Sequence, residues 1–221
     1  MAIAGKETPR ERYRTQLRAE IKQHAWEQIA AAGAAGLSLN AIAKQMGMSG
    51  PALYRYFASR DELITELIRD AYRSLADTLR ATADSSADLP GLGYALRAWA
   101  LDDPQRYFLI YGTPVPGYHA PDDITTIASE IMDALLDAAQ PADTAAENPD
   151  DGHTDARLEA HLAQHRGWAA DHPAPPAALR RALRFWTRLH GILSLELAGH
   201  FTGMGLDPAE LYTSELRHLT R

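Results

Sequence analysis

A chain of 221 residues that is 46% apolar can bury an ordinary core, which excludes wholesale disorder. It contains no cysteine, which excludes disulfides, thiolate metal sites and a cysteine nucleophile. Its formal charge of −7, from 22 Lys and Arg against 29 Asp and Glu, argues on its own against a nucleic-acid partner.

The distribution of that charge reverses the argument. Residues 1–75 carry 11 basic and 8 acidic side chains, a balance of +3, whereas the remainder carries 11 basic and 21 acidic, a balance of −10. A basic head on an acidic body can approach phosphate, and the body's charge keeps the wrong face away. Met1 to Lys6 is too short and polar for a secretory signal. The apolar stretch Phe185 to Phe201 is broken by Arg188, His190, Glu196 and His200, so no membrane span is expected and a cytoplasmic protein is.

Apolar positions recur at three- and four-residue spacing throughout, which predicts an all-α protein. A first helix is expected from about Pro9 to Ala32, with Leu17, Ile21, Ala25 and Ile29 on one face and Gly33 ending it. A short helix follows at Leu39–Met46 behind Ser38 as N-cap. Gly47-Met48-Ser49 makes a turn, and Pro51 opens a third helix ending near Phe57. Ser59-Arg60-Asp61-Glu62 has the form of a capping box and starts a long fourth helix to about Ala83.

Asp84 to Gly93 is a polar connector. The rest predicts helices near Gly93–Asp102, Pro104–Tyr111, Asp122–Ala139, Thr154–Ala169, Ala177–Thr202 and Asp207–Leu219. Two prolines and a glycine make 113–117 a loop, and 140–153, without an apolar face, should be mobile. The domain division is placed on the fourth helix: 1–70 as the head, 71–221 as the helical body.

Residues 36–57 carry the motif. Two short helices around a glycine turn are a helix-turn-helix, with Ile42, Ala43, Met46, Met48, Leu53 and Phe57 spaced to face a common core. Gly50, Pro51, Ala52, Tyr54, Arg55 and Tyr56 are left to form an outer surface of the kind a recognition helix presents to the major groove.

Ile42-Ala43, Gly47, Ser49, Leu53-Tyr54, Tyr56-Phe57, Ser59 and Glu62-Leu63 are spaced as in the TetR/AcrR family of regulators, which residues 15–70 resemble. The resemblance implies a three-helix DNA-binding head on a helical body that dimerises and takes a small effector. It further implies a repressor that binds a palindromic operator as a homodimer and releases it when the effector enters. Carried over position by position, it implies that Tyr54 and Tyr56 lie against the DNA backbone and Ser38 contacts phosphate. Asn40 would read a base, and Ser49, Gly50, Pro51 and Ala52 would approach base edges. Arg60 would add a cation at the start of the fourth helix. Arg10, Arg12, Arg14 and Arg18 form a basic arm that tracks phosphate or enters a minor groove.

In the body, Trp99, Asp103-Pro104, Trp186 and His190-Gly191 resemble one C-terminal subgroup of that family. Leu183, Trp186, Leu189, Leu193, Leu197 and Phe201 form a stripe suited to a dimer interface on the late helices, with Gly191 and Gly199 permitting close approach. Trp99, Tyr107, Tyr111, Tyr118, His119 and Trp168, with His190 and Glu196 as polar groups, are the expected lining of an effector pocket.

Neither a cofactor nor a resident metal is expected. The competing readings are a metal-dependent helical hydrolase built on His153, Asp155, His161 and His165, and a DNA-binding protein that responds to no ligand. The first lacks a His-Glu-x-x-His run, a nucleophile elbow and a glycine-rich phosphate cradle.

Overall fold

The computed structural model describes residues 8–85, 88–112, 115, 118, 121–140, 152–169 and 171–220, with the side chains of 152–154 excepted. Among the described residues there are ten α-helices, two 3₁₀ turns and no strand, so the protein is all-α as expected. The expected loop at 113–117, apart from Val115, and the segment 141–151 lie outside the described residues. Among the described residues, no helix is long and apolar enough to cross a membrane.

The chain divides into two compact units, one of residues 1–71 and 105–121, the other of 72–104 and 122–221. In the first, α1 (Pro9–Ala32) opens on a complete capping box: the Thr8 hydroxyl accepts from Glu11 N–H and the Glu11 carboxylate accepts from Thr8 N–H. Its inward face is Ile21, Ala25 and Ile29, while its first two turns are exposed all round. A 3₁₀ turn (Ala34–Gly36) leads to α2 (Leu39–Gln45), which the Ser38 hydroxyl caps at Ala41 N–H.

The turn after α2 is a Schellman motif. Met48 N–H donates to Ala43 O at 2.8 Å and Gly47 N–H to Lys44 O at 3.2 Å. Gly47 sits at φ +65°, where a Cβ would be strained. The next helix, α3 (Gly50–Leu53), is shorter than expected: beyond Leu53 the chain closes through Arg55 N–H to Ala52 O at 3.3 Å and Tyr56 N–H to Leu53 O at 2.8 Å. Such i→i+3 bonds tighten a last helical turn and bring Phe57 inward. Leu53 and Phe57 are fully buried. The long α4 (Arg60–Ser85) begins where Ser59 caps Glu62 N–H, and its residues 60–71 complete this unit, as does α6 (Pro104–Tyr111) but for Pro104.

The second unit holds the rest of α4, α5 (Leu89–Asp102), α7 (Asp122–Ala138), α8 (Gly152–Gln164), a 3₁₀ turn (Gly167–Ala169), α9 (Pro176–Leu197) and α10 (Pro208–Leu219). Here α9 is the hub, touching α5, α7, α8 and α10. On α4, Arg73 donates to both Glu130 oxygens of α7, at 2.8 and 3.0 Å, and Arg80 joins them. These bonds, Arg73's first, hold the Glu130 carboxyl below its usual range.

Three further helix bounds need correction. α8 runs over Gly152–Gln164 rather than Thr154–Ala169, and Gly167–Ala169 forms a separate 3₁₀ turn. α5 begins at Leu89, not Gly93, because Asp88 caps it through Gly91 N–H at 2.9 Å. α9 stops at Leu197, not Thr202, because Gly199 adopts φ +77° and closes a second Schellman motif, His200 N–H to Leu195 O at 2.9 Å. The expected interface stripe is also not a single outward face, since Leu189 and Leu193 are fully buried in the chain's own core.

That core is closest at Gly93. A Cβ there would stand 2.7 Å from Leu216 Cδ1 and 3.3 Å from Leu189 Cδ1, so α5, α9 and α10 meet where one residue has no side chain. The buried Tyr212 hydroxyl donates to the Gly93 carbonyl at 2.7 Å. Gly93→Ala should therefore destabilise the second unit by about 1–3 kcal/mol through overpacking. Urea denaturation checks this, and an unchanged midpoint would show that Leu216 moves freely.

Candidate nucleic-acid interface

Each surface position of the head is set by a neighbour that is sealed. Leu53 and Phe57 point inward, which turns Tyr54 out to 45% exposure. Ser49 and Pro51 are exposed, Gly50 and Ala52 are half-buried, and Tyr56 is half-buried at the end of the tight turn. Asn40 is exposed on α2, and its Oδ1 lies where a Cβ on Gly50 would come within 3.4 Å of it. The first residue of α3 and the amide of Asn40 thus share one surface. Ser38, whose hydroxyl caps α2, is fixed from behind by Gln28, whose Oε1 accepts from Ser38 N–H at 2.9 Å.

Arg10, Arg12 and Arg14 are exposed on the first turns of α1, with Tyr13 61% exposed between them. Arg18 and Arg60 are placed differently. The Arg60 guanidinium turns back into the head, donating from Nε to Leu37 O at 3.1 Å and from one terminal nitrogen to Ala34 O at 2.6 Å and Ala35 O at 3.4 Å. Arg18 donates to the Tyr56 carbonyl, faces Glu66 at 3.5 Å and covers the Phe57 ring at 4.1 Å. Sequence reasoning missed both tasks, because the carbonyls they hold are exposed only by the way the chain turns.

The expected effector-lining residues fall in two sets. In the first unit, Tyr107 is fully buried and its ring lies 5.5 Å from that of Tyr111, while Tyr118 is half-buried. His119 lies outside the described residues. In the second unit, Trp99 is buried and donates to the Ser74 hydroxyl at 3.1 Å, and Trp168 is half-buried on its 3₁₀ turn. Glu196 is held by Arg97, whose Nε reaches it at 3.3 Å and whose charge also faces the Tyr212 ring at 5.7 Å. His190 packs on Trp186 with ring centroids 4.0 Å apart.

Of the residues of the hydrolase reading, the His153 side chain lies outside the described residues and the other three have other tasks. Asp155 accepts from Arg180 at 2.6 Å and from Arg184 at 2.5 Å, and the His161 and His165 rings stack on each other at 4.1 Å. Among the described residues, no three His, Cys, Asp or Glu side chains are grouped to hold a metal ion.

A glycine-turned helix pair with Tyr54 outward, in a chain whose regular structure among the described residues is all helical, defines a helix-turn-helix regulator. The family described as bacterial regulatory proteins, tetR family, matches residues 21–67, and the tetracyclin repressor-like C-terminal domain matches residues 89–219. The chain therefore belongs to the TetR family, whose members are transcriptional regulators rather than enzymes.

Among its relatives is the HTH-type transcriptional regulator Rv1816 of Mycobacterium tuberculosis (strain ATCC 25618 / H37Rv), 36% identical across 93% of this chain and 92% of its own. The regulator Mb1846 of Mycobacterium bovis (strain ATCC BAA-935 / AF2122/97) matches to the same extent, at 36% over 223 aligned residues. A crystal structure of the candidate regulatory protein SCO4313 is 70% identical, with a TM-score of 0.85 over 96% of this chain and 98% of its own. A protein of unknown function from Rhodococcus sp. RHA1, at 21% identity and a TM-score of 0.66 over 93% and 94% of the two chains, shares the fold.

Two outcomes test this geometry. Arg60→Ala leaves the carbonyls of the 3₁₀ turn without their donor and should destabilise the head by about 1–2 kcal/mol. Thermal unfolding of the free protein is the measurement, and an unaltered melting temperature would mean that water replaces the guanidinium. Burial pushes the His190 imidazole down from 6.5 to about 4. The unfolded chain takes up its proton first, so this contribution is complete above about pH 6.5 and is lost as pH falls toward 4. The part lost between pH 7 and pH 5, about 2 kcal/mol, should separate wild type from His190→Asn in denaturation at those two pH values.

Proposed function

We propose that this protein is a ligand-responsive repressor that acts in the cytoplasm, binds a palindromic operator as a homodimer and releases it when a small molecule enters the body. Residues 1–70 are the DNA-binding part and 71–221 the effector-binding and dimerising part. The observation that carries the reading is the pairing of a sealed Leu53 and Phe57 with an exposed Tyr54 on the same short segment. A phenol held outward by a rigid core can donate to phosphate while its ring covers a sugar or a thymine methyl.

In this reading Ser38, Asn40, Ser49, Gly50, Pro51, Ala52 and Tyr56 complete the contact surface, and Arg12 and Arg14 reach phosphate from α1. Arg60 serves the operator by holding the head's own turn, with its remaining exposure available to phosphate. The relatives named as transcriptional regulators support the assignment. Dimerisation brings two heads onto half-sites about 34–36 Å apart. Support for it comes from apolar surface on the second unit: Leu195 is 45% exposed, Met204 64% and Leu206 39%, and a Cβ on Gly191 would meet open space. The proposed effector contacts are kept as two separate sets, Tyr107, Tyr111, Tyr118 and His119 in the first unit and Trp99, Trp168, His190 and Glu196 in the second, with neutral His190 suited to an uncharged ligand.

Footprinting on the DNA flanking its own gene, followed by titration of Tyr54→Ala, tests the reading. The variant should bind the protected fragment about 1–3 kcal/mol more weakly and keep the wild-type helical signal and dimer mass. Equal affinity of wild type and variant for every fragment would remove the assignment of Tyr54.

A further inference from the structure

We propose that Arg18 is a positioning residue for operator recognition: it sets the orientation of the Tyr54–Tyr56 segment from behind and does not itself touch DNA. The proposal rests on the operator-binding reading and assigns one residue a role within it.

The helix that leads into Tyr54, its C-cap, is four residues long, too short to hold its own shape or direction. Its C-terminal end is a tight turn, and the Tyr56 carbonyl is left outside the helical ladder as the chain swings toward α4. One guanidinium answers all of this at once. An edge of it donates to the Tyr56 carbonyl, its face covers the Phe57 ring at 4.1 Å, and another nitrogen faces Glu66 Oε2 of α4 at 3.5 Å. The Arg18 and Glu66 side chains are each 27% exposed, so the grip is partly shielded from water. Glu66 is in turn held by Arg69 one turn further along α4. The backbone two residues beyond Tyr54 is thereby tied to α1 and α4 together.

This arrangement needs a flat, forked cation. A lysine keeps the charge but cannot stack on a ring and donate from an edge in fixed directions. Arg18→Lys therefore separates positioning from phosphate contact, since a phosphate contact tolerates the exchange. The expected result for Arg18→Lys is a fall of roughly tenfold, the scale of one mismatched base pair, in preference for operator over scrambled duplex. Its salt dependence should match wild type, because the number of neutralised phosphates is unchanged. Hydrogen exchange in the free protein should show faster exchange at the amides of Tyr56 and Phe57, with those of Ile21 to Ile29 unaffected.

Glu66→Gln is the second variant, for the case in which Arg18→Lys does not fold. Removing a negative charge from the head would by itself strengthen binding to every duplex. Positioning instead requires the operator preference to fall. Wild-type preference in both variants overturns the proposal, as does a uniform loss on all sequences with a flatter salt slope. If wild type shows no preference for any duplex, the regulator reading fails instead, and the exchange data still report whether the grip exists.

Discussion

A helix of four residues has to be held by its surroundings, and the rest of the head is organised around that constraint. Leu53 and Phe57 are its only fully buried side chains in the segment 50–57, and they fix its depth and rotation. The Schellman turn at Gly47 fixes where it starts. Gln28 secures the start of α2 by accepting from Ser38 N–H. Arg60 ties the 3₁₀ turn to α4, and Arg18 ties the far end of the segment to α1 and α4. Remove the buried pair and the outward tyrosine has no defined direction.

The charges of the head divide into two populations. Arg18, Arg60 and Lys22 hold the fold, Lys22 through Asp70 at 2.5 Å. Arg10, Arg12, Arg14, Lys44 and Arg55 are exposed. A count of basic residues reports the long-range attraction to phosphate, which does not depend on which way a guanidinium points. It overstates the number of contacts, since a guanidinium already bonded to the head's own carbonyls must break those bonds before it can reach a phosphate. The basic balance of the head therefore describes approach, and the exposed subset describes touch.

Helix positions were legible because an amphipathic face leaves a spacing that the sequence displays: α1 runs over Pro9–Ala32 as read from Leu17 to Ile29 and Gly33. Ends were less so where the stop signal is conformational. Gly199 terminates α9 by its positive φ, and apolar residues continuing to Phe201 mask it in the sequence. Side-chain tasks that depend on a carbonyl freed by tertiary folding, as for Arg18 and Arg60, have no sequence signature. Gly93 was hidden for a related reason. It reads as a helix start, whereas its place opposite Leu216 and Leu189 depends on three helices meeting.

The second unit shows why one apolar stripe cannot serve two surfaces. Leu189 and Leu193 face the chain's own core, so whatever α9 offers to a copy of itself must lie on another side. Gly191 and Leu195, four apart, share such a side, one with open space above it and the other 45% exposed. Arg184 and Arg188 precede them on it, and both guanidiniums already have carboxylate partners, Asp155 and Glu215. Charge brought to an interface unpaired carries a large desolvation penalty, whereas charge paired within each copy carries much less. A glycine, an exposed leucine and pre-neutralised arginines along one line form a surface that a second chain can cover without exposing any new charge to burial alone.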